Sequence, residues 1–166
     1  SLLHRYKDWD GFGWVARPLG SLLYEFLERH LDCIEATVGP IDIATTVPPS
    51  PDSGRGFDHL ANLIAAIQAW PIQWRHDVLV RGPGARPARA EVTAGLYQPT
   101  GAVDITGSRV LLLDDTWTSG STLASAADAL RQAGAASVAG LTLGRQLHAG
   151  YGSADDLIDT TAAHGF

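Results

Sequence analysis

Residues 109–122 constrain the fold of this chain more than any other part of its sequence. They read Arg-Val-Leu-Leu-Leu, then two aspartates, then a hydroxyl-rich turn with one glycine, and then the start of a helical pattern. A short, nearly continuous apolar run is typical of a strand that is buried on both faces of a parallel sheet. The stretch therefore predicts a buried strand at residues 109–113 that carries Asp114 and Asp115 at its carboxyl end and leads into a helix.

Strand and helix patterns alternate along the rest of the chain. Apolar residues at steps of three and four predict amphipathic helices from near Pro18 to Gly39, from Leu60 to near Pro71, and from Leu123 to Gly134. Further strands are predicted at residues 41–47, 76–80 and 137–143. This alternation predicts an α/β fold, a single-domain open parallel sheet flanked by helices. We expect one domain over residues 1–166, with its core at about residues 36–145 and the N-terminal helix and C-terminal tail peripheral.

Residues 81–108 show little periodicity and carry several glycines, prolines and arginines. A connection of that length without regular structure is uncommon in a compact domain. We therefore expect it to be either a functional loop or a disordered one, and the most irregular internal segment of the chain.

The composition excludes several classes of protein. Of the 166 residues, 45% are hydrophobic and 18% are charged, which is a globular balance and not a disordered one. The formal net charge of -6 disfavours general nucleic-acid binding. The single cysteine excludes a disulfide or a cysteine-based metal site within the chain. The sequence shows no apolar run of membrane-spanning length and no signal peptide, so we expect a cytoplasmic protein without a membrane partner.

The six histidines show no metal-ligand spacing. Single histidines such as His59 are therefore expected at the surface or in helix capping.

The stretch after the predicted central strand can bind a phosphorylated sugar. Ligands of α/β sheets bind at the carboxyl ends of the strands. A glycine-containing turn at a helix start offers backbone N–H groups and the positive end of the helix dipole, which together suit a phosphate. Two adjacent carboxylates can accept hydrogen bonds from vicinal ribose hydroxyls or hold a Mg²⁺ ion. Further donors are the hydroxyls of Thr116, Thr118, Ser119, Ser121 and Thr122.

Two other interpretations apply to this stretch. The aspartates could simply complement the helix dipole, with Thr118 as the N-cap. A Walker-type phosphate loop is disfavoured, because Ser121 stands where that loop requires a lysine.

Residues 113–122 resemble the motif that binds 5-phosphoribosyl-1-pyrophosphate (PRPP) in type I phosphoribosyltransferases, which commonly reads Asp-Asp-x-x-Thr-Thr-Gly-x-Thr. Residues 42–60, with Val-Pro-Pro-Ser and Arg-Gly-Phe-Asp, are similar to the ComF-like branch of that family. Two departures stand out. Asp58 replaces the asparagine that the branch prefers, and the N-terminal cysteine-rich zinc ribbon usual in that branch is lacking.

The resemblance implies a set of site residues. The PRPP-binding residues would be Asp114, Asp115, Thr116, Trp117, Thr118, Ser119, Gly120, Ser121 and Thr122. The pyrophosphate loop would be Thr46, Val47, Pro48 and Pro49, for which an ordinary proline turn is an equal alternative. Asp114 and Asp115 would be catalytic and would hold the Mg²⁺ cofactor, directly or through ribose hydroxyls or water. Arg86 and Arg89, on the mobile loop at residues 81–108, would also be catalytic, although a solvated linker explains any single arginine equally well.

The function implied by the resemblance is transfer of the 5-phosphoribosyl group to a nitrogen nucleophile with release of pyrophosphate. Its partners would be PRPP or a nucleoside 5-phosphate and a small nitrogenous acceptor, with a homodimer as a candidate assembly. Thr118 stands where hypoxanthine-type relatives have an aspartate, so a purine acceptor loses its usual acid–base group. Trp117 would either stack on a base or pack in the core. The alternatives are a non-catalytic PRPP or nucleotide sensor and a ComF-like DNA-uptake accessory protein.

Overall fold

A computed structural model describes residues 10–50, 58–84 and 91–146 of the chain. A 3₁₀ helix spans Asp10–Val15. In chain order, the elements that follow it are α1 (Ala16–Val38), β1 (Ile43–Thr46), α2 (His59–Ala65), β2 (Leu79–Arg81), β3 (Tyr97–Pro99), β4 (Arg109–Trp117), α3 (Ser121–Gln132) and β5 (Ser137–Arg145).

Three of the strands form a parallel sheet in the order β1-β4-β5. Ile43 of β1 and Ser137 of β5 align with Val110 and Arg109 of β4, respectively. A parallel bridge between Ala44 and Trp74 adds a short segment along the other edge of β1. Strands β2 and β3 pair separately and antiparallel. Helices flank the parallel sheet, so the predicted α/β class is confirmed.

Strand β4 is the centre of the core. Val110, Leu111, Leu112 and Leu113 are all fully buried. Val110 and Leu112 pack in a cluster with residues of α3 and the β2–β3 pair, whereas Leu111 and Leu113 pack with residues of α1 and α2. Because successive side chains of a strand point to opposite faces, a strand covered on both faces requires an unbroken apolar run.

The helices match the sequence prediction, with shifted ends. The α1 helix begins two residues before Pro18, because proline is tolerated in a first turn, where its missing N–H would have no partner. It ends at Gly39, whose positive φ of 87° favours glycine. The α2 helix ends at Ala65, before the predicted end near Pro71, and beyond it the indole N–H of Trp70 donates to the carbonyl of Ile64 at 2.9 Å. No helix within the described ranges is both long and apolar enough to cross a membrane.

The segment at residues 81–108 contains more structure than the sequence predicted. The predicted strand at residues 76–80 is shifted to β2, and β3 pairs with it. Leu96 and Tyr97 are buried in the core cluster beside α3, and the backbone N–H of Thr93 donates to Ser125 Oγ at 2.9 Å. The expectation of a structureless connection is therefore wrong for its last part. Residues 85–90, which include Arg86 and Arg89, lie outside the described residues.

Candidate functional site

The topology identifies a crevice between the carboxyl ends of β1 and β4. From β1 the chain passes through α2 and reaches the short segment at Trp74 on the far edge of β1. From β4 it passes through α3, on the opposite face, and reaches β5 on the other side. The connections therefore diverge between β1 and β4. In open α/β sheets, ligands bind outside the carboxyl ends of the strands at such a switch point.

Asp114 and Asp115 lie at this crevice because β4 is longer than β1. The pairing of β1 with β4 ends at Thr46 and Leu113, and the N–H of Val47 makes a last bond to the Leu113 carbonyl at 2.8 Å. Two prolines then lead the chain away. β4 continues beside β5 as far as Trp117. The predicted strand at residues 109–113 is therefore four residues too short, and both aspartates belong to the strand itself.

The two carboxylates are held differently. Asp114 is half-buried, and its Oδ1 accepts the backbone N–H of Asp115 at 2.8 Å. Asp115 is only 9% exposed, and its Oδ2 lies 2.7 Å from His59 Nε2. An ionised carboxylate has no proton to give, so the imidazole N–H is the donor. The two neighbouring acids therefore differ in burial and in the group that fixes each of them.

His59 is the residue that sequence reasoning missed. It was expected at the surface or in capping, but it is only 4% exposed, and Asp58 is the N-cap of α2 instead. A signal was present in the helical pattern, since His59 lies four residues before Leu63 and thus on the apolar face of α2. The identity of its partner could not be read from the sequence, because 56 residues separate His59 from Asp115.

The turn after β4 is short and is closed by a glycine. Thr116 and Trp117 are still part of the strand, and α3 begins at Ser121. Gly120 is the N-cap residue, with φ of 78°, and it accepts the N–H of Ala124 on its carbonyl at 2.9 Å. Thr118 is therefore not the cap. The first-turn N–H groups of α3 have no intrahelical acceptors and carry the positive end of the dipole.

The hydroxyls of the turn do not all face the same way. Ser119 Oγ and Ser121 Oγ are 2.9 Å apart and form a hydrogen bond at the start of α3. Thr118 Oγ1 instead donates to Gln146 Oε1 at 3.3 Å, beyond the end of β5. Thr122 is half-buried in the first turn of α3. The structure thus brings the two serines together at the helix start and ties Thr118 to the neighbouring chain segment.

Trp117 is neither a core residue nor fully solvated. Its side chain is 40% exposed, and its indole ring lies against Gly120. A Cβ added at Gly120 would stand 2.6 Å from Cζ2 of that ring. The expectation that Trp117 packs in the core is wrong, and the indole instead covers one side of the turn.

The residues expected to form the pyrophosphate loop lie at the other side of the crevice. Thr46 and Val47 are buried at the end of β1, and Pro48 and Pro49 are half-buried. Thr46 Oγ1 lies 3.4 Å from His76 Nδ1. The end of β1 and the acid-bearing end of β4 thus border one crevice.

The described residues do not form a protein cage for a metal ion. Among them, no three histidine, cysteine, aspartate or glutamate side chains come together as ligands. Mg²⁺ commonly binds through one or two carboxylates and takes its other ligands from substrate phosphates and water. Asp114 and Asp115 fit that mode, and a metal here would depend on the substrate for most of its coordination.

Comparison with solved structures identifies the fold. No protein-family model matches the chain, and no curated protein matches it by sequence. A solved structure of hypoxanthine phosphoribosyl transferase from Trypanosoma cruzi is similar, with a TM-score of 0.51, 14% identity, and coverage of 81% of this chain and 76% of that one. The chain has the phosphoribosyltransferase fold.

Hypoxanthine phosphoribosyltransferase from Staphylococcus aureus is also similar in structure, with a TM-score of 0.47 and 15% identity over 82% of this chain and 72% of that one. The Trypanosoma cruzi structure, at 14% identity, shows the phosphoribosyltransferase fold and nothing finer. The ComF-like resemblance continues to rest on the sequence of residues 42–60 and 109–145, and it stays a prediction.

Proposed function

We propose that this chain binds PRPP in the β1–β4 crevice and transfers its phosphoribosyl group to a nitrogen nucleophile. The observation that carries the proposal is the order of groups at the end of β4. Two fixed carboxylates, a glycine turn and a helix N-terminus follow one another at the switch point of the sheet. These groups match the diol and the 5-phosphate at the two ends of a phosphorylated ribose.

Each part of the ligand has a complementary group. The 5-phosphate would lie against the turn at residues 118–122, where backbone N–H groups would donate to its oxygens. Ser119 and Ser121 share one hydrogen bond, so the hydroxyl that does not donate to the other would be a further donor. The ribose hydroxyls would donate to Asp114 and Asp115. A hydrogen bond to a charged group contributes about 1.5–3 kcal/mol, so the acids contribute a large part of the specificity for ribose.

The reaction would be a displacement at the anomeric carbon. The acceptor nitrogen forms a bond to that carbon and loses a proton to solvent, while the carbon–oxygen bond breaks and pyrophosphate leaves with the electron pair. Residues 46–49 would lie beside the pyrophosphate. Arg86 and Arg89, which lie outside the described residues, are proposed from the sequence alone to neutralise its charge. Mg²⁺, held at Asp114 and Asp115 through ribose hydroxyls or water, would neutralise the charge of the leaving pyrophosphate.

The acceptor need not be the one named for the similar solved enzymes. At Thr118 this chain has a hydroxyl that donates to Gln146, and no carboxylate to exchange a proton with a purine. The partly exposed indole of Trp117 offers an apolar surface beside the turn. We therefore propose a nitrogenous acceptor that is not restricted to hypoxanthine.

The test is release of pyrophosphate from PRPP and Mg²⁺ in the presence of a panel of purines, pyrimidines and simple amines. We expect release with at least one acceptor, and a loss of about tenfold or more in the Asp114→Asn variant, in line with a charged hydrogen bond. Asp128→Asn makes the same change of charge on α3 outside the crevice and serves as the matched control.

Three results are informative. Acceptor-dependent release that is lost only in Asp114→Asn supports the transferase. PRPP binding without release for any acceptor contradicts the transferase and favours a PRPP sensor. The absence of PRPP binding refutes both.

A further inference from the structure

His59 of α2 makes a buried polar contact with Asp115, one of the two acids at the end of β4. His59 is 4% exposed and Asp115 is 9% exposed, so water does not compete for their hydrogen bond. At 2.7 Å between Nε2 and Oδ2 it is short, as expected of a bond with a carboxylate acceptor. Burial and length together mark it as a strong, fixed contact.

The backbone that carries His59 is itself anchored. Asp58 Oδ1 accepts the N–H groups of Leu60 and Ala61 at 3.0 Å each, which fixes the start of α2. Leu60 and Leu63 are buried in the cluster that contains Leu111 and Leu113 of β4. The imidazole therefore approaches Asp115 from a helix that is packed directly on the strand bearing that aspartate.

A hydrogen bond to one oxygen of a carboxylate restricts rotation about its Cβ–Cγ bond. The bond from His59 to Oδ2 therefore restrains the plane of the Asp115 carboxylate and the direction of its lone pairs. Hydrogen bonds weaken steeply when they are misaligned, so the orientation of an acceptor matters as much as its presence.

We propose that His59 is a positioning residue that orients Asp115 to accept a hydroxyl of the bound ribose. The proposal rests on the function proposed above and assigns it a residue from α2, outside the strand–turn–helix stretch. The contact joins α2 to the acid pair at the end of β4.

The test compares ribose 5-phosphate with its analogues that lack the 2-hydroxyl or the 3-hydroxyl, using calorimetry on the full chain. The variants are His59→Phe, which keeps a ring but removes the donor, and His59→Gln, whose amide nitrogen can replace Nε2. His59→Leu is a second apolar variant in case the phenylalanine does not fit. Melting curves establish that each variant is folded.

We expect the wild type to bind ribose 5-phosphate more tightly than at least one deoxy analogue. In the apolar variants the ratio of these two affinities should fall about tenfold. His59→Gln should retain most of it. If His59 had only a structural role, its substitution would weaken the binding of ribose 5-phosphate and of the analogues equally. That result overturns the inference. Equal loss in the glutamine and phenylalanine variants overturns it as well.

Failure of the two proposals can be told apart. If the wild type binds both PRPP and ribose 5-phosphate but His59 has no effect on discrimination, only the positioning role is lost. If the wild type binds neither ligand, the proposed function is refuted, and the positioning role is refuted with it.

Discussion

Gly120 meets two steric constraints at one residue. Its φ of 78° lies in the left-handed region, and a Cβ there would stand 2.6 Å from Cζ2 of Trp117. Left-handed backbone costs a residue with a side chain about 1–2 kcal/mol. The contact with the indole adds to that cost, because the Trp117 ring or the turn has to move.

Gly120→Ala should therefore lower the free energy of unfolding by more than the backbone cost alone and should weaken binding of ribose 5-phosphate. Gly107→Ala is the matched control, since Gly107 has φ of 74° but no atom within 4 Å of an added Cβ. Denaturant titration and calorimetry measure the two effects. Equal destabilisation by the two substitutions, with unchanged ligand affinity, would count against the constrained turn.

Residue roles that depend on neighbours in the sequence were the easiest to predict. The acids, the turn serines and Gly120 follow one another within residues 114–121, and the structure places them at one strand end and one helix start. His59 was interpreted wrongly, and Thr118 is not the helix N-cap of the alternative interpretation, because their partners, Asp115 and Gln146, come from segments distant in sequence. The PRPP-binding role of Thr118 stays a prediction. A pattern of residue types carries no information on which distant side chains meet.

At the scale of elements, a hydrogen bond to Ser125 of α3 holds the β2–β3 connection against that helix. Ser125 is buried, accepts the N–H of Thr93 at 2.9 Å, and donates to the Ser121 carbonyl at 2.7 Å. It therefore links the segment that leads into β3 with the first turn of the helix that follows the proposed phosphate turn.

Ser125→Ala should leave the Thr93 N–H without its acceptor, at a cost of about 1–3 kcal/mol in the free energy of unfolding. We also expect faster hydrogen exchange of amides at residues 91–96, which this bond holds against α3. Ser21→Ala, on the exposed surface of α1, is the control and should change neither quantity. Unchanged exchange at residues 91–96 in Ser125→Ala would show that the bond does not fasten this segment.

The long elements were predicted with shifted ends, and among the short ones β1 was predicted whereas β3 was not. β4 is an apolar run covered on both faces, and α1 and α3 have clear helical periodicity. β3 has only three residues, and a pattern with a period of two cannot be recognised over that length. Its place is determined instead by pairing with β2 and by burial of Leu96 and Tyr97 against the core.

At the scale of the whole molecule, the sequence predicted the class of fold but not the strand order. Alternating strands and helices indicate a parallel α/β sheet, whereas the order β1-β4-β5 arises from contacts between distant segments. That order creates the switch point beside Asp114. The interpretation of residues 1–166 as a single domain stays a prediction.

The overall charge makes local recognition necessary. The formal net charge is -6, and PRPP is itself strongly anionic. Long-range electrostatics therefore oppose binding of PRPP, so the proposed function requires local donors such as the N–H groups of the turn, together with Mg²⁺.

The most direct test of the central claim is calorimetric titration of PRPP with Mg²⁺ into the wild type and Asp114→Asn. Asp114 is the better target of the two acids, because removing the charge of Asp115 also disturbs a buried bond to His59. We expect the wild type to bind and Asp114→Asn to bind at least about tenfold more weakly, with its melting temperature unchanged or raised by relief of like charges. Asp128→Asn should bind as the wild type does. Unchanged affinity in Asp114→Asn together with a clearly lower melting temperature would show that the carboxylate serves the fold alone and would contradict the account.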